Sequence, residues 1–191
     1  MIELDADHIY RVDGQVTPGV SEILQASGKV TKFYKGTEAR ERGTEIHKLL
    51  EDYDNGELFP LQWEHLDPCY LTEYKSFIHG LMANYCLISA ERLFYHNELN
   101  YCGKLDREFI HKVTGARAVV DIKTGTTLPG FTALQLAAYA MGLHPFDYLK
   151  VERIALHLHP KNKTYRIKEF NDPKDFHEWE RIVKQYHATH N

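Results

Sequence analysis

Two short fragments carry the residue types that do chemistry. They are Gly103-Lys104-Leu105-Asp106 and Asp121-Ile122-Lys123, with fifteen positions from one aspartate to the other. Both lie in runs rich in Val, Ile, Phe and Tyr: Glu91 to Glu98, Tyr101 to Ile110 and Arg117 to Ile122. Asn100 and Thr114-Gly115 punctuate these runs, a pattern that predicts an antiparallel meander of three strands. The second and third strands then lie side by side and bring Asp106 next to Asp121. Alternate residues of a strand share a face, so Asp121 and Lys123 project together while Ile122 turns to the core. A buried pair of carboxylates is costly unless something cationic neutralises it. Hard oxygen ligands suit a divalent ion such as Mg²⁺ or Mn²⁺.

Other elements must present partners to this pair. A helix is expected from about Gly36 to Tyr53, with Gly43, His47 and Glu51 at i, i+4 and i+8 on one face. Taken alone, His47 reads as a satisfied histidine on an amphipathic helix. Set against the two acidic strands, it reads as a metal ligand. Glu51 either supports that site or is a solvated charge. A glycine at position 43 lets another backbone or a phosphate approach closely. Downstream, Gln135 and Tyr139 lie i, i+4 on a helix expected from Thr132 to Met141; the plain reading is a hydrogen-bonded pair on a helix surface.

Four pieces in order, RGTEIHKLLE (Arg42 to Glu51), GKLD with Glu91 upstream, VVDIKTG (Val119 to Gly125) and QLAAY (Gln135 to Tyr139), resemble the PD-(D/E)XK nuclease superfamily in its RecB-like exonuclease branch. They span about half of the chain. The superfamily's namesake proline is absent, since Leu105 precedes Asp106. The resemblance implies a restriction-endonuclease-like core and a metal-dependent DNA exonuclease using Mg²⁺ or Mn²⁺. It implies His47, Asp106, Asp121 and the backbone carbonyl of Ile122 as metal ligands. Lys123 would orient or deprotonate the attacking water and offset developing charge. Glu91 would sit beside the site; the alternative is an outward edge-strand charge. Gln135 and Tyr139 would contact the nucleic-acid strand or support Lys123. Arg42, Lys48, Lys104 and Arg107, with Gln135 and Tyr139, are the expected DNA contacts.

The setting that the resemblance implies is phage or mobile-element DNA recombination, repair or degradation. DNA is the implied partner, with a single-strand-binding or annealing protein beside it. Two other readings are a restriction-type or structure-specific endonuclease, and a catalytically inactive DNA-binding module. Inactive members usually lose the lysine or a carboxylate, and here all four core residues are present.

Composition is consistent with one globular domain over residues 1 to 191, with 43% hydrophobic and 26% charged residues. The formal net charge of −4 argues against a broad basic DNA-binding face, though not against a local track. Three cysteines, Cys69, Cys86 and Cys102, form no CxxC pair. They are expected as reduced thiols in a cytoplasm, the host's if the gene is phage-borne, with no disulfide framework, zinc site or iron–sulfur cluster. No apolar run is long enough to span a bilayer, so no membrane partner is expected.

The remaining elements follow from pattern. Met1 to Val16 suggests a hairpin about Asp13-Gly14. A short helix follows Thr17-Pro18, with Thr17 as candidate cap and Val20, Ile23 and Leu24 as its apolar stripe. The segment Leu58 to Leu66, with Trp63, is placed to cover or lead into a cleft. A helix from Asp67-Pro68 to about Tyr85 has Tyr74, Phe77 and Leu81 facing the core. Val151 to His159 and Thr164 to Phe170 alternate as a second hairpin about Pro160 to Lys163. His157 and His159 there could bind zinc, but without further ligands nearby they read as sheet-surface histidines. A last helix from Asp172-Pro173 has Phe176, Trp179, Ile182, Val183 and Tyr186 as a core stripe. The sum is an α/β fold, a central mixed sheet flanked by helices.

Overall fold

A computed structural model describes residues 1–30, 37–58, 60–162 and 164–190. The fold is α/β, with a five-stranded mixed sheet flanked by helices. Its strands are β4 (Tyr85–His96), β5 (Tyr101–His111), β6 (Arg117–Lys123), β7 (Glu152–His157) and β8 (Arg166–Glu169), in that spatial order. All neighbours pair antiparallel except β6 and β7, which are parallel. A parallel pair needs a crossover, and the helix α4 (Thr132–Leu143) supplies it. α4 is apolar nearly all round because it is buried, with every residue from Leu134 to Met141 shielded.

The sheet separates two cores. On one face α1 (Val20–Ala26), α4 and α5 (Lys174–His190) pack around Val119, Leu136 and Trp179. On the other, α2 (Thr37–Asp54) and α3 (Cys69–His79) pack Ile46, Leu50, Tyr74 and Phe77 onto Val120 and Ile122. β6 is therefore covered on both faces, which is why its consecutive residues Ala118, Val119 and Val120 are all apolar and buried.

Several boundaries differ from expectation. The N-terminal hairpin is a three-stranded sheet: β1 (Ile2–Leu4), β2 (Tyr10–Val12) and β3 (Gln15–Thr17), with the Asp13-Gly14 turn between the last two. Thr17 does not cap α1. It ends β3, and Gly19 occupies the cap in an extended conformation, while the Pro18 carbonyl accepts from Cys102 N at 2.9 Å. α3 stops at His79, before Gly80, so Leu81 falls outside the helix and is exposed. The aromatic and β-branched residues after it enter β4, which starts at Tyr85 and ends at His96, short of Glu98. Residue 36, where α2 was expected to begin, lies outside the described residues, as do 59 and 163 of the two expected loops.

Gly103 of the GKLD fragment has a packing reason. A Cβ there would lie 2.4 Å from the Phe94 ring, and one at Gly142 would lie 2.0 Å from it. The two glycines admit that ring between β5 and α4, which fixes the helix against the strand.

Candidate active site

The β5–β6 ladder pairs Arg107 with Val120, so one step further along Asp106 stands opposite Asp121. Asp106 Oδ2 accepts a hydrogen bond from Ile122 N at 2.6 Å, which ties the end of β5 to β6 where the ladder opens. Both carboxylates are buried. Lys123 Nζ lies 2.7 Å from Asp121 Oδ2 and donates to Oδ1 at 3.0 Å. Oδ2 has no partner of hydrogen-bonding geometry.

α2 brings in His47. Its Nδ1 lies 3.5 Å from Asp106 Oδ1 and 3.7 Å from Glu91 Oε1. One ligating atom each from His47, Glu91 and Asp106 fall within 4.8 Å of one another, a grouping able to hold a metal ion. Sequence placed Glu91 beside the site or outward on an edge strand; the fold turns it into the cluster. The β4–β5 register, Ala90 with Arg107 and Arg92 with Leu105, sets it opposite Asp106, and its backbone there is left-handed, φ 51°. A non-glycine residue seldom adopts that conformation, and no residue pattern signals it. Asp121, expected in the ligand set, lies outside the group of three and is engaged by Lys123.

Charge is arranged unevenly among these groups. Burial alone would lower the His47 pKa, but the Asp106 carboxylate, followed by Glu91, holds it up at about 10. Burial works against the Asp106 charge, yet the His47 imidazolium, Lys123 and the Ile122 N–H hold its carboxyl well below the usual range. Asp121 goes the other way. Burial dominates there, Asp106 adds repulsion, and Lys123 only partly offsets both, so its pKa is raised to about 6. Without a metal the histidine serves as the cation between two carboxylates, while the third has Lys123 beside it, which only partly offsets its burial.

The other expected site residues divide clearly. Gln135 Oε1 accepts from Lys123 Nζ at 2.9 Å, and Gln135 Nε2 donates to the Tyr139 hydroxyl at 2.7 Å. Both residues are buried rather than on a helix surface. They form a chain that orients the lysine from α4. Arg107, expected on DNA, is a correction: it is fully buried and bonded to Asp54, Tyr74 and Glu91. Its strand position faces α2 and α3, which the i, i+2 pattern alone could not show. Lys104 is bound to Glu91 at 2.7 Å, and Lys48 to Glu51 and Asp52 at 3.0 Å each. Glu51 is thus a partner of Lys48 on its own helix. Gly43 would carry a Cβ with ordinary contact, 3.6 Å from Thr124 Oγ1, so the protein itself does not require glycine there.

A cleft of about 740 Å³ opens over Asp106, Asp121 and Lys123, and Arg42 lines it as expected. Arg40, Thr126, Phe131 and His159 line it too, residues that sequence reasoning did not assign to the site. Trp63, expected near a cleft, sits instead in a separate hollow with Leu49, Leu58 and Leu66. His157 is not a surface residue. β7 is an interior strand, and the buried His157 ring contacts the Gly125 carbonyl at 2.5 Å, pinning the loop that follows Lys123. An interior parallel strand is covered on both faces, and that placement comes from the pairing of β7 with β6.

By sequence, no family model and no curated protein matches the chain. By structure, the chain is similar to a protein of Eubacterium rectale described as a candidate exonuclease. The TM-score is 0.51 at 12% identity, over 88% of this chain and 71% of that one. This likeness supports the fold. LHK-Exo, an alkaline exonuclease of Laribacter hongkongensis, aligns at TM-score 0.41 and 12% identity in its complex with dAMP, over 91% of this chain and 87% of that one. At that score it adds nothing about this chain. Among the described residues no helix is long and apolar enough to cross a membrane.

Proposed function

We propose that this protein is a divalent-metal-dependent deoxyribonuclease of the PD-(D/E)XK superfamily, RecB-like branch, acting as an exonuclease. The observation that carries the reading is the convergence of His47, Glu91 and Asp106 beside the Asp121–Lys123 pair under one cleft. The donor set fits a divalent ion: one imidazole nitrogen, carboxylate oxygens, and a third carboxylate whose burial Lys123 only partly offsets. His47 and Asp106 would hold the ion with Glu91. Asp121 would add the oxygen that no hydrogen bond engages, and the Ile122 carbonyl would complete the set. A divalent ion held there, Mg²⁺ or Mn²⁺, would supply water activation and neutralisation of the charge that develops in phosphodiester hydrolysis.

The chain's own groups supply the rest. Lys123, oriented by Asp121 and Gln135, presents its ammonium to the attacked phosphate and stabilises charge there. Arg40 and Arg42 offer the cleft's exposed cations to phosphates, and Phe131 offers a ring to a base. Arg107 is removed from the DNA-contacting set by its burial, and the Lys48 and Lys104 charges are already partnered.

End-labelled linear DNA and covalently closed circular DNA, each with Mg²⁺, Mn²⁺ or Ca²⁺, test the reading. Shortening of linear DNA with intact circles is expected in Mg²⁺ and Mn²⁺. Nicked circles would make the protein an endonuclease. Binding without cleavage in every metal would make it an inactive DNA-binding module.

A further inference from the structure

The buried arginine that leaves the DNA-contacting set joins one wall of the fold to the metal cluster. Arg107 is fully buried. At one end of its guanidinium, Nε donates to Asp54 Oδ2 at 2.5 Å and to the Tyr74 hydroxyl at 3.1 Å. The Tyr74 hydroxyl in turn donates to Asp54 at 2.9 Å. At the other end, NH1 donates to Glu91 Oε1 at 3.1 Å and to the Asp106 carbonyl at 2.6 Å. One planar group therefore touches the end of α2, the middle of α3, and the two strands that carry Glu91 and Asp106.

Glu91 needs such a hold. Its backbone is in the left-handed region inside a strand, a conformation that persists only when the surroundings enforce it. Its side chain has several rotatable bonds and lies only 13% exposed among other carboxylates. Lys104 engages Oε2 at 2.7 Å, but that lysine is itself 39% exposed and on a flexible stem. The Arg107 contact to Oε1 comes from a rigid fork whose other end is anchored by Asp54 and Tyr74.

We infer that Arg107 is a positioning residue that fixes the Glu91 carboxylate against His47 and Asp106, with Asp54 and Tyr74 as the anchor of the fork. This rests on the reading of that cluster as a metal site. A lysine cannot replace it, because an ammonium on a flexible chain does not span two carboxylates in a fixed geometry. Loss of such an outer partner weakens metal affinity by about ten- to a hundredfold.

The test is Mn²⁺ calorimetry on the whole protein, without DNA. Arg107→Lys should bind Mn²⁺ about tenfold or more weakly than wild type. Glu91→Gln should also bind more weakly, and adding Arg107→Lys to it should cause no further loss. That non-additivity is the mark of a residue acting through Glu91; an arginine that merely supports the fold would give independent losses. Because Arg107→Lys leaves Asp54 with a poorer partner and could unfold the chain, Asp54→Asn is the second variant. It keeps the hydrogen-bonding shape, and its Mn²⁺ affinity should fall a few-fold in the Glu91 background and not in the Glu91→Gln background. Wild-type Mn²⁺ affinity in folded Arg107→Lys or in Asp54→Asn, or additive losses in the double variants, would overturn the inference and leave the metal site standing. Absence of Mn²⁺ binding in wild type would overturn the metal reading, and the inference with it.

Discussion

Two carboxylate clusters sit on this sheet, and they differ in how their charge is met. Glu108, on β5 two residues beyond Asp106, is fully buried and accepts from four donors. Arg92 NH1 lies at 2.5 Å, Arg117 NH1 and His144 Nε2 at 3.0 Å each, and Ser89 Oγ at 3.3 Å. Burial disfavours its charge, but His144 and Arg92 more than compensate and hold its pKa down at about 2. In the candidate site two carboxylates, Glu91 and Asp106, share one imidazole, and Asp121 beside them is pushed up instead of down. A carboxylate surrounded by cations is a structural clamp, here pinning the end of α4 to the sheet. A set of carboxylates whose charge is only partly offset, as at Asp121, favours a further cation. The contrast lies in Asp121: Glu108 is held down by its cations, whereas Asp121 is raised by burial and by the neighbouring Asp106 charge, and perturbed groups of that kind cluster at sites of chemistry.

The largest expected effect separates the two clusters by activity. Asp121→Ala and Lys123→Ala should each cut DNA hydrolysis by roughly a hundredfold or more, with circular dichroism unchanged. Glu108→Gln, assayed per folded molecule, should hydrolyse near the wild-type rate. Wild-type turnover in Lys123→Ala would dissolve the contrast at its centre.

Stability should separate them in the opposite sense. The folded Glu108 pKa lies below its unfolded value, so its contribution is full above the unfolded pKa and is lost as pH falls towards about 2. Glu108→Gln should lower unfolding free energy by about 3 kcal/mol at pH 7, with the deficit shrinking below about pH 4.5. The folded Asp121 pKa is raised to about 6, so its ionisation penalises the fold as pH rises through that value. Metal-free Asp121→Asn should therefore be at least as stable as wild type at pH 7, and the gain should vanish in acid. Urea unfolding at several pH values measures both. A destabilised Asp121→Asn would mean that its ionised form is already fully compensated.

Metal gives a comparable signal at one cluster only. Mn²⁺ at a hundred times its Kd should stabilise wild type and Glu108→Gln by about 2.7 kcal/mol. His47→Ala should lose most of that gain and most of any preference for Mn²⁺ over Mg²⁺, since the imidazole is the softer ligand. Thermal shifts report it. An undiminished Mn²⁺ shift in His47→Ala would return that residue to an ordinary helix-face histidine.

The smallest effect concerns the cleft's cations. With Arg107 buried and Lys48 and Lys104 paired, few phosphate contacts remain. The dependence of DNA affinity on salt, measured in Ca²⁺, should be shallow, and Arg42→Ala should reduce its slope by about one. Arg117→Ala, at the saturated cluster, should leave the slope alone. A steep wild-type slope would point to a basic surface elsewhere.

The meander that carries the site was legible in the sequence. Val119 to Lys123 is a strand because its residues are apolar and β-branched, and Thr114-Gly115 turns because Gly115 supplies φ 72°. Asp106 and Asp121 come together because short turns fix hairpin register. His47 was reachable because helix spacing puts it on a face with Gly43. These are local constraints, and local constraints are written in spacing. The boundaries of α3 and β4 were less legible, because Gly80 and Tyr85 mark a switch that either pattern could absorb.

What the tertiary structure alone decided is direction. The sequence gives Arg107 and Lys104 the same charge, three residues apart, and says nothing about which meets water. Packing of α2 and α3 on one face of the sheet buries the first with Asp54, while Lys104 stays at the edge with Glu91. Glu91 could be counted outward or inward by strand alternation. The pairing of β4 with β5 sets it opposite Asp106, and Arg107 bonds its carboxylate there. His157 and His159 looked equivalent, yet one is sealed in the sheet and the other lines the cleft. Spacing fixes which side chains share a face, but which face becomes interior depends on the partners that cover it, and those come from distant parts of the chain.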